Sequence, residues 1–196
     1  LEEALERAVA TDEAVLVEGP LGAGKSWTLR HFAARRAPKG HLCLQMGEDL
    51  DAKGLLGAYV CGEVPGQFHW RAGPLGRAVQ EGTWLILEDL DASSTELLAL
   101  LSGLARHRKL SLRSDSTPSQ SHPDFRLFAT LRTPLKAPAA KEAYLNHFWL
   151  RISLQSPSLQ ELTRMVGRRD PELDTMARRL SEVAQKMGEG SSEKEV

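Results

Sequence analysis

A short stretch near the beginning of the chain has the residue types and spacing of a phosphate-binding loop. Residues 19–26 read GPLGAGKS and fit the pattern G-x-x-x-x-G-K-[ST]. The glycines permit backbone conformations that point successive N–H groups at one phosphate chain. Lys25 is predicted to reach the β- and γ-phosphates of a nucleotide, and the Ser26 hydroxyl to coordinate Mg²⁺. The predicted nucleotide-binding residues are Gly19, Pro20, Leu21, Gly22, Ala23, Gly24, Lys25, Ser26 and Trp27.

The segments on either side of this loop favour phosphate binding over an ordinary glycine-rich turn. Residues 14–18, AVLVE, read as a short apolar strand, and residues 27–36 read as a helix. A strand, the loop and a helix in this order are the context that the motif requires. The N-terminus of such a helix attracts anions, because its first N–H groups and its dipole face the ligand.

Two acidic residues at the end of an apolar strand are the second feature that could do chemistry. Residues 83–87 read TWLIL, which is typical of a strand buried on both faces, and Glu88 and Asp89 follow at once. A phosphate-binding loop needs a carboxylate beside Mg²⁺, and in hydrolytic proteins a second acid polarises the attacking water. We predict that both acids are catalytic, with Glu88 orienting the metal together with Ser26. The alternative is that the pair only starts a loop or caps the next helix.

The other elements predict an α/β fold that places the loop at the carboxyl edge of a parallel sheet. Two hairpins are expected outside this sheet, one over 64–74 and one with an arm at 109–113 that leads into a polar loop over 114–123. The first hairpin carries Phe68 and Trp70, and its spacing fits an ordinary exposed hairpin as well as a specific role. The predicted strands are 14–18, 41–45, 83–87, 125–131 and 149–154, and the predicted helices are 1–10, 27–36, 51–59, 75–80, 96–107, 141–148, 158–168 and 171–187.

Composition limits the classes of partner. The 25 basic and 26 acidic residues nearly cancel, so charge gives no signal for nucleic acid, and no apolar run approaches the ~18 residues of a membrane span. The two cysteines form no C-x-x-C pair, and we expect a reducing intracellular compartment. The chain begins at Leu1 and not at Met, which is typical of a processed or excised chain.

Four motifs in order resemble those of AAA+ ATPases. They are GPLGAGKS, WLILEDLD, FRLFAT and LNHFWLRI, which are similar to the Walker A, Walker B, sensor 1 and arginine-finger segments. The stretch VPGQFHWRAGPLGRAVQEGTWLILEDLD resembles the midasin, dynein and MoxR branch. The segment GEDLDAKGLLGAYVCGEVPGQFHW, together with Glu-Asp in Walker B, resembles the midasin family in particular, and most closely its first AAA+ module. ELTRMVGRRDPEL is similar to the first lid helix of midasin modules.

This resemblance implies a fold and a function. The implied fold is a P-loop NTPase core with a central parallel sheet flanked by helices, over 1–155, then the start of a small helical lid over 156–187 and a disordered tail over 188–196. The implied cofactors are ATP and Mg²⁺, and the implied partners are neighbouring AAA+ modules in a pseudo-hexameric ring. Midasin-like ATPases release assembly factors from pre-60S ribosomal particles in the nucleolus and nucleoplasm, so a nuclear location is expected. A MoxR-type chaperone ATPase and a nucleotide-binding scaffold without turnover are the alternatives, whereas no acceptor site or Arg-rich lid supports a small kinase.

Some positions depart from the family pattern. The usual Asp-Glu of Walker B is reversed, Arg132 stands at the sensor 1 asparagine position, and His147 stands at the arginine-finger position. Histidine is only partly charged near neutral pH and lacks the guanidinium fork of arginine. No sensor 2 arginine can be assigned. We therefore expect the isolated chain to hydrolyse ATP slowly or not at all.

Overall fold

The computed structural model describes residues 1–47, 50, 52–62, 66–111, 117–134, 139–169, 176 and 179. Their contacts divide the chain into two compact units, 1–154 and 155–196. The first unit has six α-helices among its described residues: α1 (Glu2–Thr11), α2 (Lys25–Arg36), α3 (Ala52–Leu56), α4 (Pro74–Glu81), α5 (Thr95–His107) and α6 (Ala139–Asn146). Its strands in the same residues are β1 (Val15–Gly19), β2 (His41–Gln45), β3 (Gly57–Cys61), β4 (Phe68–Ala72), β5 (Trp84–Glu88), β6 (Lys109–Leu110), β7 (Ser119–Gln120), β8 (Leu127–Arg132) and β9 (Leu150–Ser153).

Five of these strands form the central sheet, in the order β2-β5-β8-β1-β9, and every neighbouring pair is parallel. The predicted α/β fold with a central parallel sheet is therefore confirmed. Parallel strands all end at the same edge, which brings the last residues of β1, β2, β5 and β8 together. Gly19 lies opposite Arg132 in the register of β1 and β8, and Gln45 lies opposite Glu88 in that of β2 and β5.

The sheet separates two apolar clusters because successive side chains of a strand point to opposite faces. On one face Val15, Val17, Trp84 and Phe128 pack with apolar residues of α1 and α2. On the other face Leu16 and alternate residues of β5 and β8 pack with α4, α5 and α6. Burial on both faces explains why these strands read as continuous apolar runs.

The region before β5 corrects the sequence interpretation. A helix was predicted over 51–59, but α3 ends at Leu56 and residues 57–61 form β3, so that Tyr59 lies in a strand. The predicted hairpin over 64–74 is accordingly wrong in its first arm, because β3 is the strand that pairs antiparallel with β4. Gly57 makes the change possible: its φ is 136°, and a Cβ there would lie 2.4 Å from the carbonyl oxygen of Arg71.

The second predicted hairpin is confirmed in a shorter form, with β6 paired antiparallel to β7. Ser119 and Gln120 belong to β7, so the predicted loop over 114–123 is partly strand. Residues 112–116, the end of the predicted arm and the start of that loop, lie outside the described residues.

The second unit is described mainly through α7 (Leu159–Arg169), which begins with a reciprocal cap. The backbone N–H and hydroxyl of Ser158 both donate to Glu161 Oε2, and the Glu161 N–H donates to Ser158 Oγ, as in a capping box. The predicted helix over 171–187 is described only at Met176 and Arg179, both helical, and the tail over 188–196 lies outside the described residues. The division into a core, a lid and a disordered tail stays a prediction.

Candidate nucleotide-binding site

The phosphate-binding loop connects the end of β1 to the first turn of α2. Gly22 and Gly24 have φ of 80° and 85°, a left-handed backbone that strongly favours glycine, and no atom lies within 4 Å of where a Cβ would be. Gly24 is the N-cap of α2 and offers no side-chain cap to the first N–H groups of the helix. The loop therefore presents open backbone donors at the positive end of a helix dipole, which suits an anion.

Lys25 is folded back into this loop. Its side chain is buried, with 7% of the residue exposed, and Nζ donates to the carbonyl oxygens of Gly19 and Pro20 at 2.8 Å each. Burial lowers the pKa of Lys25 from its usual value, and the positive charge of Arg132 lowers it further, whereas Asp89 and Asp91 raise it. An incoming phosphate would supply the negative charge that the two neutral carbonyls lack.

The two acids of the predicted catalytic pair point to different partners. Glu88 is the last residue of β5 and only 6% exposed, and its carboxylate accepts from Arg30 Nε and Nη2, both at 2.7 Å. Arg30 belongs to α2, so this carboxylate lies on the α2 side of the sheet. A buried carboxylate with two charge-assisted hydrogen bonds is costly to displace. The predicted role of Glu88 in orienting Mg²⁺ stays a prediction, and it would require Glu88 to leave Arg30.

Asp89 leaves the strand with a φ of 55° and turns toward the loop lysine. Its N–H donates to Thr130 Oγ1 at 3.0 Å, while its carboxylate accepts from Gln45 Nε2 at 2.8 Å and from both Nε and Nη2 of Arg132, at 3.1 and 2.8 Å. The hydrogen bonds from Arg132 hold the pKa of Asp89 below its usual range. Asp89 is therefore an ionised carboxylate that acts electrostatically on Lys25 of the loop, and its predicted catalytic role stays a prediction.

The structure thus brings Lys25, Asp89 and Arg132 together and adds partners that the sequence interpretation missed. Arg30, Gln45 and Thr130 had no assigned role. Gln45 is the last residue of its strand and Thr130 lies near the end of β8, so a search for polar residues at the carboxyl ends of strands could have found both. Arg30 has no comparable signal, because a helix arginine is usually solvated.

The side chains of three other residues with predicted roles are exposed to solvent. Leu21 and Trp27 are exposed, and the Trp27 ring stacks on His31 with 4.9 Å between centroids. His147 is exposed as well, and its ring lies 5.9 Å from that of Phe148. The predicted role of His147 at the site of a neighbouring module stays a prediction.

A five-stranded parallel sheet with a glycine-rich loop, a buried loop lysine and an acid at the adjoining strand end defines the class of P-loop nucleotide-binding proteins. Within that class, the family described as AAA domain (dynein-related subfamily) matches residues 14–145, and the chain belongs to this family. The family implies nucleotide binding with a metal, and its modules generally assemble into oligomeric rings. No helix in the described ranges is long and apolar enough to cross a membrane.

The chain is similar to proteins of two kinds. It is 31% identical over 170 residues to midasin of Dictyostelium discoideum, which covers 86% of this chain and 3% of that protein. It is 33% identical over 127 residues to protein NorQ of Paracoccus denitrificans, which covers 64% of this chain and 46% of NorQ. The predicted resemblance to midasin is confirmed, and the chain is an AAA+ ATPase module related to it. The matched part spans less than half of either relative.

The solved structures agree on the fold. A crystal structure of a candidate ATPase from Cytophaga hutchinsonii superposes with a TM-score of 0.60 at 18% identity, covering 84% of this chain and 48% of that one. At this identity the likeness concerns the fold alone.

Proposed function

We propose that this chain is an ATP-binding module of a midasin-like remodelling ATPase that releases assembly factors from pre-60S ribosomal particles. ATP binding is supported chiefly by the position of Lys25. Its ammonium group is held inside the loop at the uncapped N-terminus of α2, where it interacts electrostatically with Asp89. The similarity to midasin supports the ribosomal part and, with it, a location in the nucleolus and nucleoplasm.

The residues present fit ATP with Mg²⁺. The space at Gly22 and Gly24 leaves room for phosphates beside the backbone donors, and Ser26 lies in the first turn of α2, where its hydroxyl would be a ligand. Mg²⁺ bound with phosphates usually takes one or two carboxylates and keeps several waters, so one carboxylate such as that of Asp89 would suffice. The described residues hold no group of three or more His, Cys, Asp or Glu that could bind a metal. When bound, the metal would neutralise charge on the phosphates.

Binding of ATP and ADP tests the nucleotide part. Lys25→Ala should raise both dissociation constants by about 10-fold or more, because a charge-assisted contact contributes roughly 1.5–3 kcal/mol. Lys39→Ala is the matched control, since Lys39 is exposed and pairs with Asp124. Titration calorimetry measures the constants and circular dichroism checks that both variants fold. Equal affinities for the two variants would remove Lys25 from the site.

The rate of ATP hydrolysis tests whether the chain works as one module of a ring. A residue supplied in trans can contribute roughly 10³–10⁵ in rate in related phosphate chemistry, and an isolated module lacks it. We expect slow turnover from the chain alone and stimulation when neighbouring modules are added. A rate of about 10 s⁻¹ from the isolated chain, an ordinary enzyme value, would contradict the proposal.

A second candidate is a MoxR-type chaperone ATPase, favoured by the similarity to NorQ. The two candidate functions predict different complexes for the protein in cells. Sedimentation of the endogenous protein with pre-60S particles, together with nuclear staining, supports the midasin-like function. Sedimentation as a small free ring, with no ribosomal precursors, supports the chaperone.

A further inference from the structure

Arg30, on the second turn of α2, holds the first of the two strand-end acids. Its Nε donates to Oε1 of Glu88 and its Nη2 donates to Oε2, both at 2.7 Å. The Glu88 side chain is only 8% exposed, whereas that of Arg30 is 54% exposed. One guanidinium thus engages both carboxylate oxygens of a buried acid, in the paired geometry that is typical of strong charge-assisted hydrogen bonds.

The place of Arg30 on α2 makes it a competitor of the predicted metal site. Residues four positions apart on an α-helix are neighbours on one face, so Arg30 lies one turn beyond Ser26. Glu88 lies on the sheet face that α2 covers, which directs its carboxylate toward this helix. In the part of the chain that the structure describes, the carboxylate bonds to Arg30 and makes no hydrogen bond with Ser26. Glu88 is therefore paired one helix turn away from the hydroxyl that is predicted to coordinate Mg²⁺.

The metal offers little in exchange for this pair. Arginine is always charged in proteins, and its fork fits both oxygens of a carboxylate. Mg²⁺ keeps several of its waters and usually takes one or two carboxylates. If Glu88 left Arg30, it would give up two short charge-assisted hydrogen bonds for one contact, made directly or through a water. We propose that Arg30 is a positioning residue that keeps Glu88 away from Mg²⁺, so that Glu88 adds nothing to the metal's contribution to nucleotide binding.

The consequence is a nucleotide site whose metal is held without the first acid. The groups left for Mg²⁺ are the phosphates of the nucleotide, the Ser26 hydroxyl and the carboxylate of Asp89, which itself accepts two hydrogen bonds from Arg132. Glu88 then serves to join β5 to α2 through its pair with Arg30. The inference rests on the proposed nucleotide site, and the experiment separates the two.

The test is the effect of Mg²⁺ on nucleotide affinity, taken as the ratio of the dissociation constants of a non-hydrolysable ATP analogue without and with Mg²⁺. Titration calorimetry in EDTA and in excess Mg²⁺ gives both constants, and circular dichroism checks folding. Arg30→Ala should raise this ratio by about 10-fold or more over that of the unaltered chain, because the freed carboxylate of Glu88 can then meet the metal. Glu88→Gln alone should change the ratio by less than about 2-fold. In the double variant the gain should vanish, since the acid that Arg30→Ala frees is absent.

Two further variants complete the test. Arg36→Ala is the matched control and should leave the ratio unchanged, because Arg36 pairs with Glu6 at the last turn of α2 and both side chains are about half exposed. Arg30→Gln keeps part of the stem and a neutral hydrogen-bond donor. It should raise the ratio in the same direction by a smaller factor, and it tests the inference if Arg30→Ala does not fold.

The outcomes distinguish the inference from the proposed function. An unchanged ratio in the folded Arg30 variants, a clear fall of the ratio in Glu88→Gln, or a gain that persists in the double variant would each overturn the inference and leave the nucleotide site intact. Failure of the unaltered chain to bind the analogue in either condition would overturn the proposed function and this inference together.

Discussion

Gly19 is a glycine for a reason different from that of the other loop glycines, and its substitution gives a sharp prediction. Its φ is not in the left-handed region, but a Cβ built there would lie 2.2 Å from the carbonyl oxygen of Leu154 and 3.2 Å from its carbonyl carbon. Carbon and oxygen normally approach to about 3.3 Å, so the two backbones must separate by roughly 1 Å. The neighbouring hydrogen bond from Leu154 N to Glu18 O, now 2.7 Å, lies in the path of that movement.

The magnitude follows from these contacts. Overpacking against a rigid backbone costs about 1–3 kcal/mol, and loss of one hydrogen bond adds about 1 kcal/mol. Gly19→Ala should therefore lower the free energy of unfolding by roughly 2–4 kcal/mol, which corresponds to roughly 4–16 °C in Tm for a chain of this size. Urea unfolding followed by circular dichroism measures the change, with the slope m expected to stay constant.

Gly103 provides the matched control. It lies inside α5, and no atom lies within 4 Å of where its Cβ would be. Gly103→Ala should raise the free energy of unfolding by about 0.5–1 kcal/mol, because alanine is the better helix former. If Gly19→Ala left stability within about 0.5 kcal/mol of the unaltered chain while Gly103→Ala behaved as expected, the close approach of Leu154 would not be the reason for glycine at 19.

Two further predictions concern the core and the response to acid. Phe128→Ala should lower the free energy of unfolding in urea by about 3–5 kcal/mol, because residue 128 is 2% exposed and its ring centroid lies 5.3 Å from that of Trp84. Phe68 is 64% exposed, so Phe68→Ala should change the free energy of unfolding by less than about 0.5 kcal/mol. The pKa of Asp89 is lowered chiefly by Arg132, so its contribution to stability is present above the unfolded value of about 4 and is lost as pH falls through the lower folded value. Arg132→Gln should move that pKa upward in an NMR titration, and an unchanged pKa would show that the pair does not persist in solution.

Much of the fold and of the loop could be predicted from the sequence because the signals are local. The glycines, Lys25 and the apolar run of β1 are contiguous, and Glu88 and Asp89 follow directly on the apolar run of β5. The hairpin could not be placed in the same way. Tyr59 follows Leu55 and Leu56 at the spacing of one helix face, which predicts a helix. In the structure Tyr59 instead pairs with Trp70 across β3 and β4, and this contact favours the strand. Tyr59 and Trp70 lie on different strands, so local sequence patterns do not predict their contact.

The different environments of Glu88 and Asp89 follow from strand geometry together with tertiary packing. Glu88 is still in β5, so its side chain falls on the same face as Trp84 and Ile86, which is the face that α2 covers. The longer side chain of glutamate reaches Arg30 there. Asp89 would fall on the opposite face if the strand continued, but its left-handed backbone turns it out of the sheet toward the loop, a conformation that aspartate tolerates better than most residues.

The reversed order of the two acids thus has a physical consequence. With Glu at the strand end and Asp at the turn, the buried position receives the residue long enough to pair with α2, and the turn receives the residue suited to positive φ. Restoring the common order would place the shorter Asp opposite Arg30 and a Glu in the left-handed position of residue 89. On this geometry the pair at 88 and 89 is adapted to its own backbone, and the acid that faces the phosphate-binding loop is the second of the two, Asp89.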